Sequence, residues 1–198
     1  MIGTMSEVMV EAYKRGWITT RDGNISIRRD TNFYITPSAV RKNVMRTEDM
    51  IKMKIKGGKH IITPDDSKPS IEQEMHELIQ LSDTKTKAVV HLHPTYTIAT
   101  MYSGRNVLPK WALKNLADQF PELRRYTKVG PVVPFSEPGS KELAEAVYKA
   151  IAPNGKIEYD IIGMEGHGVV AVGKHPWDAF EHIERLEHIC QIHLVSGE

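Results

Sequence analysis

The stretch Ala88-Val89-Val90-His91-Leu92-His93-Pro94 constrains this chain more than any other. A short apolar run of strand type ends in two histidines spaced i, i+2. Alternate side chains of a strand share a face, so His91 and His93 point the same way and Leu92 points into the other layer. Two imidazoles side by side on a rigid strand end can chelate one metal ion. Pro94 cannot continue the ladder and re-aims the chain, which leaves the strand mouth open. The competing reading is two surface histidines on an edge strand, and the pair alone does not decide between them.

The surrounding composition sets bounds. With 198 residues, 40% hydrophobic and 26% charged, the chain has enough apolar material for one domain over residues 1–198 with a real core. A net charge of +1 argues against nucleic-acid or membrane-surface binding driven by bulk charge. The single cysteine, Cys190, excludes an internal disulfide framework, fits a reducing compartment, and falls in the apolar period of a late helix as a packing residue. No apolar run is long enough to span a bilayer, and residues 1–13 show no signal-peptide core. A cytoplasmic location is expected.

Helical and strand patterns interleave without a repeat or a linker. Residues 3–16 read as a helix, with Met5, Val8, Met9, Ala12 and Tyr13 inward and Gly16 as its C-cap. Residues 24–28 and 32–36 read as a hairpin. Residues 50–56 alternate apolar and lysine as a half-exposed strand that turns at Gly57-Gly58 and returns over 59–63. A helix is expected over 70–81, with Ser70 as N-cap and Gln73 as its capping-box partner. After the 88–93 strand come a helix over 95–102, an unassigned stretch over 110–128, a short strand over 131–135 and a helix over 140–151 capped by Ser140. Strands at 159–162 and 169–172 bracket Gly163-Met164-Glu165-Gly166-His167-Gly168. The closing helix spans 177–193, with Phe180, Ile183, Leu186 and Ile189 or Cys190 inward. Hairpins among helices favour a mixed or antiparallel sheet with helices on both faces over a doubly wound parallel sheet.

Three constellations carry chemistry. His167 lies between Gly166 and Gly168, which permit close backbone approach or positive φ. With His91 and His93 it would complete three histidines and an open position, the pattern of a catalytic zinc site. The other six histidines (His60, His76, His175, His182, His188 and His193) fall on charged helical faces or turns and read as solvated. Glu72 and Glu74 form the second constellation. Glu72 lies in the first helical turn, where the macrodipole alone accounts for an acid, and it shares a face with His76 at i, i+4. A general base or metal-adjacent carboxylate is the functional alternative. The third comprises the loops Asp22-Gly23-Asn24 and Thr36-Pro37-Ser38-Ala39, together with Ser70, which can offer N–H groups and hydroxyls to a phosphate or serve as plain turns.

Taken in order, Gly23-Asn24-Ile25-Ser26, Ile35-Thr36-Pro37-Ser38, Pro69-Ser70-Ile71-Glu72, Val90-His91-Leu92-His93 and Gly166-His167-Gly168-Val169 make the chain resemble the class II aldolase/adducin family. Its members include fuculose-phosphate and rhamnulose-phosphate aldolases, ribulose-phosphate 4-epimerase and methylthioribulose-phosphate dehydratase. The resemblance implies an α/β fold, an αβα three-layer sandwich on a mostly antiparallel central sheet. It implies a homotetramer with active sites between subunits, and one divalent ion, Zn2+ with Mn2+ or Co2+ as alternatives, on His91, His93 and His167. It makes Glu72 the acid/base, and Asn24, Ser38 and Ser70 the phosphate contacts. Three positions depart from the fuculose-phosphate aldolase pattern: Ile71 replaces a second serine, Ala39 a glycine, and Arg21 a small polar residue. Arg21 or Lys42 can supply compensating charge, or the substrate carries a carboxylate instead. The family's second acid/base has no clear counterpart; Tyr126 and Asp118 lie in the unassigned stretch.

The expected function is therefore a metal-dependent lyase for (retro-)aldol cleavage of a small, phosphorylated ketose or related hydroxy-ketone. A 4-epimerase or dehydratase on the same fold is the alternative, with a non-catalytic adducin-like module and a metal-assisted hydrolase as rivals from other classes. The expected partners are a small-molecule sugar phosphate and further copies of the chain, without nucleic acid or membrane.

Overall fold

The first helix shows how the apolar pattern builds the fold. In the computed structural model, which describes residues 2–57, 60–83, 85–102 and 112–196, α1 spans Ile2–Lys14. Met5, Val8, Met9 and Ala12 are buried along one stripe, while Tyr13, at the end of the helix and beside that stripe, remains exposed. Gly16 ends the helix with φ +71°. The amide of Trp17 donates to Ala12 O at 3.0 Å and that of Gly16 to Tyr13 O at 3.0 Å, a glycine C-cap that turns the chain toward the sheet.

The strands β1 (Asn24–Arg29), β2 (Asn32–Ile35), β3 (Ile51–Lys56), β4 (His60–Ile62), β5 (Ala88–Leu92), β6 (Val129–Val133), β7 (Ile161–Met164) and β8 (Gly168–Gly173) form one sheet in the order β4-β3-β2-β1-β5-β8-β7-β6. Every pairing is antiparallel except β6 with β7. Between those two, α6 (Lys141–Ile151) provides the crossover that a parallel pair requires. The first three strands follow one another as a meander, with the lysines of β3 facing solvent as the alternation predicts. Gly58 and Lys59, placed by the sequence in the β3–β4 turn and returning strand, lie outside the described residues, as does Met1.

Helices cover both faces. On one, α1, α3 (Thr95–Met101), α4 (Ala112–Ala117), α5 (Pro121–Tyr126) and α7 (Pro176–Ser196) enclose Ile25, Ile27, Ala88, Val90 and Leu92. On the other, α2 (Gln73–Ser82) and α6 pack over Val89, Ile162 and Val170. Buried throughout, β5 is a central strand, so the edge-strand reading of its histidines does not hold. The inward positions expected of the closing helix are all buried, Cys190 among them. Burial pushes the Cys190 thiol up to about 11, which makes it an inert packing group.

Two local expectations are corrected. The helix expected from Ser70 begins at Gln73, with Glu72 at the N-cap position (φ −94°, ψ 18°). Ser70 is held in extended chain because its amide donates to Thr36 O at 3.0 Å and the preceding Pro69 bridges to Pro37. No capping box forms: Gln73 Nε2 donates instead to Thr63 Oγ1 at 3.0 Å and to Glu77. The unassigned 110–128 stretch contains α4 and α5, each too short to display a 3.6-residue period; residues 110 and 111 lie outside the described set.

Candidate metal centre and acid/base

Three separate elements bring the predicted residues to one end of the sheet. His91 occupies the last turn of the β5 pleat, opposite Asn24 on β1 and Val170 on β8. His93 follows just beyond the strand, its amide anchored to Trp17 O at 2.9 Å, so the C-cap of α1 sets its height. His167 comes from the β7–β8 turn, where Gly166 adopts φ +65° and the His167 amide donates to Met164 O at 3.1 Å. The two glycines divide the labour. Gly166 supplies the turn conformation, whereas Gly168 supplies space: a Cβ there would stand 2.4 Å from Leu92 O and 2.8 Å from His93 Cδ2.

The ring centroids of His91, His93 and His167 lie 4.7, 4.8 and 5.1 Å apart, and one nitrogen from each falls within 4.8 Å of the others. His91 donates from Nδ1 to Val169 O at 2.9 Å, so its Nε2 lone pair faces inward, 2.9 Å from His93 Nε2. Burial, then the neighbouring histidines, lowers His93 to about 3; burial, then His167, lowers His91 to about 3 against the raising effect of the Val169 carbonyl. Both rings are neutral at physiological pH, the form in which an imidazole can bind a metal.

Glu72 closes the arrangement. Its Oε2 lies 3.3 Å from His91 Nε2 and its Oε1 3.6 Å from His167 Nε2. Oε2 also accepts from Asn24 Nδ2 at 2.7 Å, but Oε1, like His167 Nδ1, is buried without a hydrogen-bond partner. Three converging imidazoles and an orphaned carboxylate oxygen, all buried or nearly so, fit a divalent cation: a zinc-type ion takes neutral nitrogen donors, and its charge compensates the acid beside it.

The loops expected to hold phosphate are laced together. Ser38 N donates to Lys68 O at 2.8 Å, Ser70 N to Thr36 O, and Ile25 N to Thr36 Oγ1 at 3.2 Å. The Ser70 hydroxyl accepts from Glu72 N at 3.3 Å. Asn24 differs from expectation: both ends of its amide are committed inside the site, to Glu72 and to His76, rather than free for a ligand. Lys42, 2% exposed, donates from Nζ to Val40 O at 3.0 Å, Arg21 O at 3.4 Å and Pro37 O at 3.5 Å. It therefore ties the 20–22 and 36–40 loops together, and burial lowers its pKa while Asp22 partly opposes the shift. Arg21 itself is exposed.

Reading all six remaining histidines as solvated misses His76. It is fully buried, 2.8 Å from Ser26 Oγ through Nδ1 and 2.5 Å from Asn24 Oδ1 through Nε2. The available signal was its i, i+4 spacing from Glu72. His182 is half-buried against Thr127, and His175 and His193 are half-buried; His188 is exposed. Tyr126 and Asp118 do not reach the centre in this chain. Tyr126 shares a surface cleft with Lys85, Thr86, Gly173 and Lys174, at the far end of β5 and β8, and Asp118 is exposed and paired with Lys114.

Residues 4–194 match the model of the class II aldolase and adducin N-terminal domain, and the chain belongs to that family. An L-fuculose phosphate aldolase of Methanococcus maripaludis is 31% identical over 92% of this chain and 90% of its own. A 3-oxo-tetronate 4-phosphate decarboxylase of Pectobacterium atrosepticum is 30% identical over 94% of this chain and 80% of its own. Among solved structures, YgbL of Klebsiella pneumoniae, for which aldolase, epimerase and decarboxylase activities are all left open, superposes with a TM-score of 0.82 at 25% identity, covering 100% of this chain and 89% of that one. No helix among the described residues is long and apolar enough to cross a membrane.

Proposed function

We propose that the protein is a metal-dependent aldehyde-lyase that breaks the bond between the carbons α and β to the ketone of a small phosphorylated ketose. The observation that carries this reading is Glu72, buried between Asn24, His91 and His167 with Oε1 unpartnered and aimed into the centre. A divalent ion on His91, His93 and His167, Zn2+ in preference to Mn2+ or Co2+, supplies a Lewis acid for the negative charge that cleavage leaves on the ketone oxygen. Glu72 holds and moves the proton at the nucleophilic carbon, since a carboxylate beside a cation-binding site is well placed to exchange that proton. Asn24 restrains Oε2 and so leaves Oε1 for the proton. Ser38, on a loop pinned by Lys42, and Ser70, whose amide is bonded to Thr36 O, receive the phosphate.

A decarboxylase is the second reading, favoured by the Pectobacterium relative. Loss of carbon dioxide from a 3-oxo acid leaves the same electron pair beside the same ketone, so the metal and Glu72 keep their roles. The epimerase and dehydratase alternatives remain chemical variants of that carbanion chemistry. We place the enzyme in the cytoplasm as a homotetramer with inter-subunit sites. Ile71, beside Glu72, and Phe135, beyond β6, are 66% and 64% exposed near the site end of the sheet, a surface that suits another copy.

A panel of ketose 1-phosphates and 3-oxo-acid phosphates, assayed with zinc and with manganese for aldehyde and for carbon dioxide, tests the reading. Metal-dependent aldehyde release is expected. Carbon dioxide without aldehyde would select the decarboxylase, and neither product from any substrate would overturn the lyase assignment.

A further inference from the structure

Five buried or nearly buried polar side chains form an unbroken chain leading to Glu72: Gln80, Ser26, His76, Asn24 and the carboxylate itself. The hydrogen-bond directions from Glu72 to His76 follow from the carboxylate end. At one end, the Glu72 carboxylate only accepts, so Asn24 must present Nδ2–H to Oε2 at 2.7 Å. That orientation turns Oδ1 toward His76 Nε2 at 2.5 Å, and a carbonyl oxygen requires a donor there. At the other end, the two N–H of the Gln80 amide face three oxygens: the Ser26 carbonyl at 3.4 Å, the Lys87 carbonyl at 3.3 Å and Ser26 Oγ at 3.3 Å. With the proton of the neutral ring on Nε2, His76 accepts at Nδ1 from the Ser26 hydroxyl at 2.8 Å. The carboxylate end thus sets the tautomer, with the proton on Nε2 and the lone pair on Nδ1, and the Ser26 end accommodates it.

We infer that His76 is a positioning residue for Glu72: its Nε2–H locks the Asn24 amide with the N–H edge toward Oε2, which leaves Oε1 directed at the metal centre. The inference rests on Glu72 being the proton carrier. Were the Asn24 amide reversed, its carbonyl would face the carboxylate, and the repulsion would push Glu72 out of line with the histidines. The i, i+4 spacing of Glu72 and His76 at the start of α2, and the register that places Asn24 and Ser26 on the inward face of β1, are what allow one helical turn to be read by one strand.

Nitrogen-15 NMR of the histidine-labelled full chain, as purified and with added zinc, reads the tautomer directly, with His76→Gln identifying the signal. An Nε2–H neutral ring at pH 7 is expected; an Nδ1–H or doubly protonated ring would overturn the inference, whatever the enzyme turns over. Kinetics on the cleaved substrate provides the second arm. His76→Leu should keep its zinc and KM and lose kcat by at least about tenfold, in the range of other orienting contacts to a metal site. His76→Gln, whose amide can donate to Asn24 Oδ1, should stay within about threefold of wild type. Equal loss in both variants, or none in His76→Leu, would overturn the positioning role. If Glu72→Gln turns over normally, the proton-carrier reading fails instead, and the NMR result stands by itself.

Discussion

Asn24 and His91 face one another across the β1–β5 ladder, so a single pair of strands carries both a candidate metal ligand and the amide that holds the neighbouring acid. Their register is fixed by the burial of Ile25, Ile27, Val90 and Leu92 in the core beneath α1 and α7. A slip of one residue would turn the histidine and the asparagine to the wrong face. The chemistry at the sheet's end is thus anchored by apolar packing along its length.

Gly168 is required for space and Gly166 for conformation. Gly168→Ala places a methyl group against Leu92 O and the His93 ring, and should cost about 1–3 kcal/mol, as overpacking does, together with most of the zinc affinity. Gly166→Ala meets no atom within 4 Å and should cost only the left-handed penalty of about 1 kcal/mol, with zinc retained. Thermal unfolding and metal titration of the two variants separate the effects.

Ala39 holds φ +58° at a position where the fuculose-phosphate aldolase pattern has glycine. The left-handed conformation costs an L-residue roughly 1–2 kcal/mol, partly offset by the greater freedom of glycine in the unfolded chain. Ala39→Gly should therefore stabilise the protein by about 0.5 kcal/mol or more. A loss of stability in urea unfolding would contradict the account.

Acid should destabilise the metal-free protein through its buried histidines. His76 is lowered to about 3 by burial, then opposed by Glu72 and reinforced by His91; His91 and His93 are also lowered to about 3. With folded pKa values below the unfolded 6.5, the unfolded chain binds more protons between those limits, so stability falls as pH drops below 6.5. In chelator-treated protein, His76→Gln should lose about 2 kcal/mol less than wild type between pH 7 and pH 5. Parallel stability curves for the two proteins would show that His76 is not held neutral.

Light scattering at micromolar concentration should report about four times the 22.4 kDa chain mass. A monomer would remove the inter-subunit site from the proposal.

The sequence made the sheet's hairpins, the His91–His93 pair and the third histidine legible, because strand alternation and glycine punctuation are local signals. Much of what surrounds them was not. The start of α2 is displaced by a bridge between Pro37 and Pro69, thirty-two residues apart in the chain. α3 has no side-chain cap of its own; Glu187 of α7 provides one, accepting from Tyr96 N at 3.0 Å and Thr97 N at 2.7 Å. His76 sits in a segment rich in glutamate and glutamine and reads as solvated, until the β1 strand closes over it with Asn24 and Ser26. In each case a distant element overrides the local pattern.

Glu72→Gln and Glu74→Gln separate a proton carrier from an acid of the helix start. Glu72 is 6% exposed within the centre, whereas Glu74 is exposed to solvent. Glu72→Gln should fold, keep its zinc and lose turnover by at least about a hundredfold. Glu74→Gln should remain near wild type. Equal damage from both would remove Glu72 from its assigned role.

Exchange of carbon-bound hydrogen with solvent isolates the proposed step from the unknown aldehyde. Dihydroxyacetone phosphate, the ketone half that retro-aldol cleavage of a ketose 1-phosphate releases, is incubated with the zinc-loaded protein in D2O and followed by proton NMR. Loss of one hydrogen from the hydroxymethyl carbon is expected in the wild type, and none above background in Glu72→Gln or His93→Ala. Exchange that persists undiminished in Glu72→Gln, or its absence in the zinc-loaded wild type, would contradict the assignment of metal-assisted proton transfer to this site.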